Sequence, residues 1–169
     1  MLKFIFQPLS EKFDRSQFDC GDEILNSFLR TYSRQGQNKG FNRTYVAIIE
    51  TDPGLEIKGY YSISMGQVDL RSLPEQTFIK LPKHPVPVGR IGRLAVSKFI
   101  QGRGLGKELL VDALIRIKAA SKIIGAHAVV VDAKDLSSKT FYEHYGFVSF
   151  VSRPLSLYLP ITSVPDLNA

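Results

Sequence analysis

Apolar residues recur at helical spacing in three parts of the chain. The first predicted helix covers about Asp22–Gln35, a second starts at Gly104, and a short third one covers about Ser137–Tyr145. Asp19 or Asp22 is expected near the N-terminus of the first helix, where the helix dipole favours negative charge. The apolar stripe of that helix consists of Ile24, Leu25, Phe28, Leu29 and Tyr32.

Apolar runs without helical spacing predict β-strands before, between and after these helices. The predicted strands are Leu2–Phe6, Thr44–Ile49, Ile57–Val68, Val88–Val96, Ala126–Val131, Phe147–Val151 and Leu155–Leu159. Because Ala126–Val131 is almost continuously apolar, we expect both of its faces to be buried. Gly36–Gly40 is predicted as a loop, and Leu73–Pro87, with four prolines, as a long connection. The order of elements predicts an α+β fold with a mixed sheet.

Composition narrows the class of protein. A chain of 169 residues, 44% hydrophobic and 22% charged, is typical of one folded domain covering 1–169. No apolar run approaches the ~20 residues of a membrane span, and the N-terminal residues lack the pattern of a signal peptide. The single cysteine, Cys20, excludes an intramolecular disulfide. We therefore expect a cytoplasmic protein without membrane contact.

The basic residues are unevenly distributed. Two stretches without acidic residues, 24–49 and 76–107, hold eleven of the 22 Lys and Arg in a chain of net charge +6. Clustered cations favour a polyanion such as nucleic acid, although a solvated basic surface explains them equally well. Arg30 and Arg34 lie four residues apart and so share a helix face. The candidate contacts to a polyanion are Arg30, Arg34, Lys39, Arg90 and Arg93.

A glycine-rich turn is the densest chemical signal. The predicted strand ending in Leu94-Ala95-Val96 is followed by Gln101-Gly102-Arg103-Gly104-Leu105-Gly106 at the start of a helix. Such a turn directs backbone N–H groups at one point, where an anion is favoured. Gln101 and Glu108 stand where a Walker loop needs Gly and Ser or Thr, and Lys107 stands where a dinucleotide fingerprint needs Gly. A turn without a ligand is the remaining structural alternative.

A resemblance to a known family decides between these possibilities. Gln101-x-x-Gly104-x-Gly106 after Leu94-Ala95-Val96 resembles the acetyl-CoA loop of the GCN5-related N-acetyltransferases, the GNAT family. Phe141-Tyr142-Glu143-His144-Tyr145-Gly146-Phe147 resembles the last helix of that fold and its Tyr…Gly-Phe signature. The resemblance implies the GNAT fold, with about six to seven strands flanked by about four helices.

Three further stretches resemble a subgroup of this family, the acetyltransferase toxins of bacterial toxin–antitoxin pairs. They are Ser16-Gln17-Phe18-Asp19-Cys20-Gly21, Gly59-Tyr60-Tyr61-Ser62 and Gly92-Arg93-Leu94-Ala95-Val96. Such toxins acetylate the amino acid on charged tRNA and are held inactive by a ribbon-helix-helix antitoxin. The resemblance therefore implies acetyl-CoA as cosubstrate, aminoacyl-tRNA as substrate, an antitoxin partner and a homodimer.

The resemblance also implies roles for individual residues. Backbone groups of Leu94 and Val96 would hold the pantetheine arm, with Ala95 between them and Phe141 also on the cofactor side. Tyr142 would be the general acid, with Tyr145 as the second candidate. Asp135 departs from the Asn that many of these enzymes carry, which leaves its contact with CoA open. The pyrophosphate would be held by Gln101, Gly102, Arg103, Gly104, Leu105 and Gly106.

The strand before the glycine-rich loop indicates which kind of amine the substrate presents. Residues 86–96 contain no carboxylate, whereas many relatives place a glutamate there as general base. An α-amine of pKa near 8 is about one quarter neutral at pH 7.5, whereas a lysine amine is neutral about one time in a thousand. A substrate that presents an α-amine therefore needs little help from a base.

Two other functions remain open from the sequence alone. The chain could acetylate a small-molecule or protein amine, or it could be a basic nucleic-acid-binding module without turnover. Cys20 lacks a triad-like sequence context and is expected to be inert. Three scattered histidines and one cysteine offer no metal-ligand spacing, so no metal is expected.

Overall fold

A seven-stranded mixed β-sheet forms the framework of residues 3–52, 54–69 and 85–166, which this computed structural model describes. The strands lie in the order β1-β2-β3-β4-β5-β7-β6. β4 and β5 pair in parallel, whereas β1 with β2, β2 with β3, β5 with β7, and β6 with β7 pair antiparallel. Their bounds are β1 Ile5–Pro8, β2 Arg43–Glu50, β3 Leu55–Val68, β4 Val86–Val96, β5 Ala128–Asp132, β6 Val148–Ser149 and β7 Ser156–Pro160.

Three helices accompany the sheet within the described residues. The first runs over residues 23–38 as α1, a π-helical segment and α2, and a 3-10 turn follows β7. The helix of 17 residues after β4 is α3. No helix among the described residues is long and apolar enough to cross a membrane. The bounds are α1 Glu23–Ser27, π segment Phe28–Tyr32, α2 Ser33–Asn38, α3 Leu105–Ser121, α4 Leu136–His144 and 3-10 turn Ile161–Ser163.

The predicted α+β mixed sheet is confirmed, with local corrections. The first helix continues to Asn38, so the prediction of a loop from Gly36 is wrong at its start. Asp22 caps that helix, since its carboxylate accepts hydrogen bonds from the N–H groups of Ile24 and Leu25 at 3.0 and 3.4 Å. The first strand is Ile5–Pro8 rather than Leu2–Phe6. Most of the predicted connection Leu73–Pro87 lies outside the described residues.

The chain forms two compact units, each with its own apolar core. Unit 1 consists of Met1–Ser64 and Gly92–Ala113, and unit 2 of Met65–Ile91 and Leu114–Ala169. β3, β4 and α3 therefore each contribute residues to both units. The core of unit 1 contains Leu9, Phe13, Phe18, Phe28, Leu29, Val46, Ile48, Ile57, Tyr60 and Ala95. The core of unit 2 contains Val68, Val86, Val88, Ala128, Val130, Phe150 and Tyr158. The single domain over 1–169 stays a prediction.

β5 is the buried strand that the apolar run indicated. Residues 128–131 are all buried, so side chains on both faces of the strand are covered. The strand pairs in parallel with β4 over Val88–Ile91 and antiparallel with β7. Strands covered on both faces are typical of parallel pairs flanked by helices.

Gly59 allows α3 to pack closely on the sheet within unit 1. A Cβ atom at Gly59 would lie 2.8 Å from Leu109 Cδ1 and 3.1 Å from the Ala95 carbonyl oxygen. The Ala95 oxygen belongs to the backbone of β4 and cannot move without shifting the strand. A glycine is therefore required here by space rather than by its torsion angles.

We expect Gly59→Ala to lower the free energy of unfolding by about 1–3 kcal/mol, as overpacking of a filled core does. Gly54→Ala is the matched control, because a Cβ at Gly54 meets nothing within 4 Å. The control should change stability by less than about 0.5 kcal/mol. Denaturant unfolding measures both, and equal effects would contradict the packing role of Gly59.

Candidate active site

The glycine-rich turn connects the end of β4 to the start of α3, as predicted. β4 ends at Val96 and α3 begins at Leu105. Gly102 and Gly104 have φ angles of 79° and 91°, in the left-handed region that favours glycine. Residues 101–104 are exposed, whereas Leu105 is buried and anchors the first turn of the helix. The turn therefore presents the N-terminus of α3 to solvent.

This turn has the electrostatic properties of an anion site. The first N–H groups of a helix lack partners within the helix, and the dipole adds positive potential at the same end. Arg103 and Lys107 are exposed beside these groups. Neither side chain has a carboxylate partner among the residues that the structure describes. Backbone donors and two available cations can together hold a diphosphate group.

A polar network holds the turn in place. The Gln101 side-chain amide donates to the carbonyl oxygens of Cys20 and Val96, each at 2.9 Å. Asp19 binds the same region through Lys98, whose ammonium lies 2.8 Å from its carboxylate. Asp19 also accepts hydrogen bonds from the Gly21 N–H and the Asn26 amide. Gln101 therefore fixes the turn through its side-chain amide nitrogen.

The backbone of β4 pairs with β5 along only part of its length. Residues 88–91 form the parallel ladder with β5, and this ladder ends at Ile91. Ala95 is buried in the core of unit 1, whereas Leu94 and Val96 are half-buried. The part of β4 that leads into the glycine turn is thus outside the ladder with β5, which leaves its backbone suited to an extended ligand.

Tyr142 lies on α4 in unit 2. Its side chain is 8% exposed, with the rings of Phe141 and Phe147 at centroid distances of 5.2 and 5.6 Å. Burial raises the pKa of Tyr142 to about 12. No group among the described residues hydrogen-bonds its hydroxyl. The hydroxyl of Tyr142 therefore stays protonated at physiological pH.

The helix that carries Tyr142 begins at Asp135. The carboxylate of Asp135 accepts a hydrogen bond of 2.8 Å from the Ser138 N–H, which also lowers the pKa of Asp135. Asp and Asn are both good N-caps, so the exchange of one for the other keeps this function. The second candidate, Tyr145, follows the helix as its C-cap and is half-buried.

Comparisons with known proteins identify the family. Residues 77–156 match the acetyltransferase (GNAT) domain. The chain is 32% identical over 151 residues to the tRNA-acetylating toxin of Mycobacterium tuberculosis, covering 89% of this chain and 88% of that protein. The chain is a GNAT acetyltransferase related to the tRNA-acetylating toxins.

Solved structures extend the likeness of this acetyltransferase to its whole fold. AtaT complexed with acetyl-methionyl-tRNAfMet matches with a TM-score of 0.87 and 30% identity, over 96% of this chain and 97% of that one. A tyrosine-to-phenylalanine mutant of AtaT, bound to the C-terminus of the antitoxin AtaR and acetyl-CoA, matches with a TM-score of 0.81 and 27% identity. That match covers 95% of each chain.

In the folded acetyltransferase, carboxylates from other parts of the chain lie next to several of the basic residues. Arg34 lies 3.7 Å from Glu11, and Arg90 lies 2.6 Å from Asp132. Arg30 donates to the Phe18 carbonyl oxygen and lies 3.8 Å from Glu23. The acid-free stretches of the sequence therefore do not leave these three arginines without carboxylate partners. Their contact with phosphate stays a prediction.

Lys39 and Arg93 differ from those three arginines. Neither has a carboxylate partner among the described residues, and both line one groove in unit 1. The Arg93 guanidinium lies over the Phe28 ring at 3.8 Å. Lys80 and Lys83 lie outside the described residues. Of the five candidate contacts to a polyanion, the structure brings Lys39 and Arg93 together.

Other chemistry finds no support in the described part of the chain. It contains no group of three or more His, Cys, Asp or Glu side chains that could hold a metal ion. Cys20 is half-buried, and its backbone N–H and carbonyl belong to the polar network around the turn. Sequence reasoning placed Asp19 only at a helix terminus. Its ion pair with Lys98 joins residues far apart in the chain, so periodicity and local motifs carry no signal for it.

We expect Gly104→Glu to abolish acetyl-CoA binding, because it places a carboxylate against the predicted pyrophosphate position. Gly40→Glu is the matched control. Gly40 has a φ of 78°, and a Cβ at either glycine meets nothing within 4 Å, so backbone strain and added charge are comparable. Calorimetric titration should show lost affinity in the first variant alone. Unchanged affinity in a folded Gly104→Glu protein would refute the assignment.

Proposed function

We propose that this acetyltransferase transfers acetyl from acetyl-CoA to the α-amine of aminoacyl-tRNA and so blocks translation. The likeness over nearly the whole chain to AtaT, which was solved with acetyl-methionyl-tRNAfMet, carries the proposal. The anion site at the start of α3 and the carboxylate-free β4 support the same conclusion.

Acetyl-CoA is the proposed donor, and it supplies an activated thioester. Residues 101–106 would hold its pyrophosphate through the N-terminus of α3, together with Arg103 and Lys107. Backbone groups of Leu94 and Val96, beyond the ladder with β5, would hold the pantetheine arm. AtaT has been solved with acetyl-CoA, which supports this choice of donor.

The lack of a carboxylate on β4 fits an amine that is partly neutral at physiological pH. The charged side chains of Val86–Val96 are Arg90 and Arg93, and neither can accept a proton there. An α-amine esterified through its carboxyl group is less basic than a lysine amine. Lysine and polyamine substrates would also meet repulsion from Arg93, which has no carboxylate partner among the described residues. The strand therefore favours an aminoacyl ester.

Tyr142 would act as the general acid. The amine nitrogen attacks the thioester carbonyl carbon, the carbon–sulfur bond breaks, and the sulfur takes the Tyr142 hydroxyl proton. The proton released by the nitrogen returns the tyrosinate to its neutral form through solvent. Because burial raises the pKa of Tyr142 to about 12, the residue stays protonated between turnovers.

Three further proposals concern the cellular setting. A ribbon-helix-helix antitoxin would neutralise the enzyme, which the antitoxin-bound structure of AtaT supports. A homodimer would be the active assembly, and the cytoplasm would be its location because charged tRNA is found there. Growth arrest on expression, relieved by the product of an adjacent gene, tests the antitoxin.

We expect Tyr142→Phe to lower kcat by about 10²-fold or more while acetyl-CoA affinity stays unchanged, as for the loss of a general acid. Tyr145→Phe is the matched control, since it removes a hydroxyl from the same helix end and should keep most of the activity. Steady-state kinetics and calorimetry measure both. A Tyr142→Phe enzyme with nearly normal kcat would leave Tyr142 with a packing role.

The acetyl acceptor is tested directly by supplying acetyl-CoA with charged tRNA, deacylated tRNA, polyamines or a lysine peptide. We expect CoA release and N-acetylaminoacyl-tRNA with charged tRNA alone. Acetylation of polyamines or the peptide, without acetylation of charged tRNA, would favour an enzyme acting on small-molecule or protein amines. Absence of turnover with every acceptor would favour a binding module.

A further inference from the structure

An open groove of about 620 Å³ lies in unit 1, beside the first helix. Its lining comes from that helix, from α1 through the π segment to α2 and its C-cap, and from residues 41–42 and Arg93 of β4. The volume is in the range of sites for nucleotide-sized ligands. Its lining residues are Glu23, Ile24, Ser27, Phe28, Tyr32, Gln35, Gly36, Lys39, Phe41, Asn42 and Arg93.

Large apolar side chains of this groove are exposed. Ile24 is 79% exposed, Tyr32 56% and Phe41 72%. Ile24 and Tyr32 belong to the apolar stripe of the helix, yet neither side chain is buried. Three such side chains around one groove form an apolar patch of the kind that marks a binding surface.

The groove also carries unneutralised positive charge. Phe28 lies against the Arg93 guanidinium at 3.8 Å, which keeps this cation at the groove wall. Lys39 supplies a second cation at the end of the helix. Glu23 is the carboxylate of the lining, and it already lies 3.8 Å from Arg30. The groove therefore favours an anionic ligand.

Exposed aromatic rings beside cations are typical of sites for single-stranded nucleic acid. Bases stack on aromatic side chains or on arginine planes, while cations bind the phosphates. The amides of Gln35 and Asn42 add hydrogen-bonding groups for base edges. An amphipathic protein helix would instead prefer an apolar groove without cations at its walls. The lining thus favours unpaired nucleotides over a peptide.

The groove reaches the part of β4 next to the residues assigned to the acetyl donor. Arg93 is next in sequence to Leu94, whose backbone is assigned to the acetyl donor, and both belong to unit 1. Successive residues of a strand are separated by about 3.3 Å. A nucleotide chain that ends at Arg93 would therefore deliver its terminal group close to the thioester.

We propose that this groove binds the unpaired 3′-terminal nucleotides of tRNA, with bases on Tyr32 and Phe41 and phosphates at Lys39 and Arg93. The inference rests on the proposed function for the identity of the RNA, whereas the affinity for unpaired nucleotides follows from the groove itself. The aromatic residues are binding residues for the substrate and have no part in the proton transfer.

The test uses two RNA hairpins with the same acceptor-stem duplex, one with a short unpaired 3′ tail and one blunt. The wild-type protein should bind the tailed hairpin more tightly. Two variants are compared: the single variant Phe41→Leu, and a double variant with Tyr32→Ala and Phe41→Ala. Each should weaken binding of the tailed hairpin by about fivefold or more and leave binding of the blunt hairpin unchanged. Phe41→Leu keeps an apolar side chain, so it isolates the aromatic ring.

Phe99→Ala is the matched control, because Phe99 is a 69% exposed aromatic residue beside Lys98 and lies outside the groove. This variant should bind both hairpins like the wild type. Equal binding of tailed and blunt hairpins by the wild type would overturn the inference. Unchanged binding of the tailed hairpin by the groove variants, with loss of antitoxin binding instead, would overturn it in favour of a protein site.

The hairpins carry no amino acid and acetyl-CoA is absent, so this binding experiment does not depend on the proposed function. Tail-dependent binding that the groove variants lose, in a protein that does not acetylate charged tRNA, would support the groove and refute the proposed function. Acetylation of charged tRNA with an unchanged KM in the groove variants would support the proposed function and overturn the groove.

Discussion

The arrangement of unit 1 depends on the polar network around Asp19. The carboxylate binds the Lys98 ammonium, the Gly21 N–H and the Asn26 amide, and hydrogen bonding to Lys98 is the largest cause that lowers the pKa of Asp19. The Lys98 N–H also donates to the Asp19 carbonyl oxygen at 2.9 Å. With Gln101 bound to the Cys20 carbonyl, these bonds join the segment before the first helix to the turn before α3. The proposed donor loop and the groove thus share one support.

The tertiary structure, rather than the order of residues in the sequence, decides which cations have carboxylate partners. Arg34 and Arg90 have carboxylate partners supplied by Glu11 and Asp132, which lie outside the acid-free stretches. Ion pairs at the surface stabilise little, but they decide which cations remain available for a ligand. Lys39 and Arg93, which line the groove, have no such partner among the described residues. The positive potential relevant to a polyanion is therefore more local than the net charge suggests.

The proposed chemistry depends on the surroundings of Tyr142 and on the charged residues of β4. Tyr142 lies among the rings of Phe141 and Phe147, where burial disfavours the charged tyrosinate and keeps the proton on the hydroxyl. β4 offers arginines and no carboxylate, so in the proposed reaction Tyr142 would supply the acid for the leaving sulfur and β4 would supply no base for the amine. This division suits an amine that loses its proton readily, as the amine of an aminoacyl ester does.

The sequence alone determined the strands other than the bounds of β1 and β6, the glycine turn and the start of α3, because these depend on short-range periodicity and on local backbone requirements. Its motifs also indicated the family. Gly102 and Gly104, for example, have the positive φ angles that only glycine adopts readily. Tertiary structure decided which face of the first helix is buried. Asn26 and Ser33 are buried, with polar atoms bonded to Asp19 and to the Leu29 carbonyl, whereas Ile24 and Tyr32 are exposed. A buried polar group needs a hydrogen-bond partner, and the packing of the helix within unit 1 decides which of its faces meets such partners.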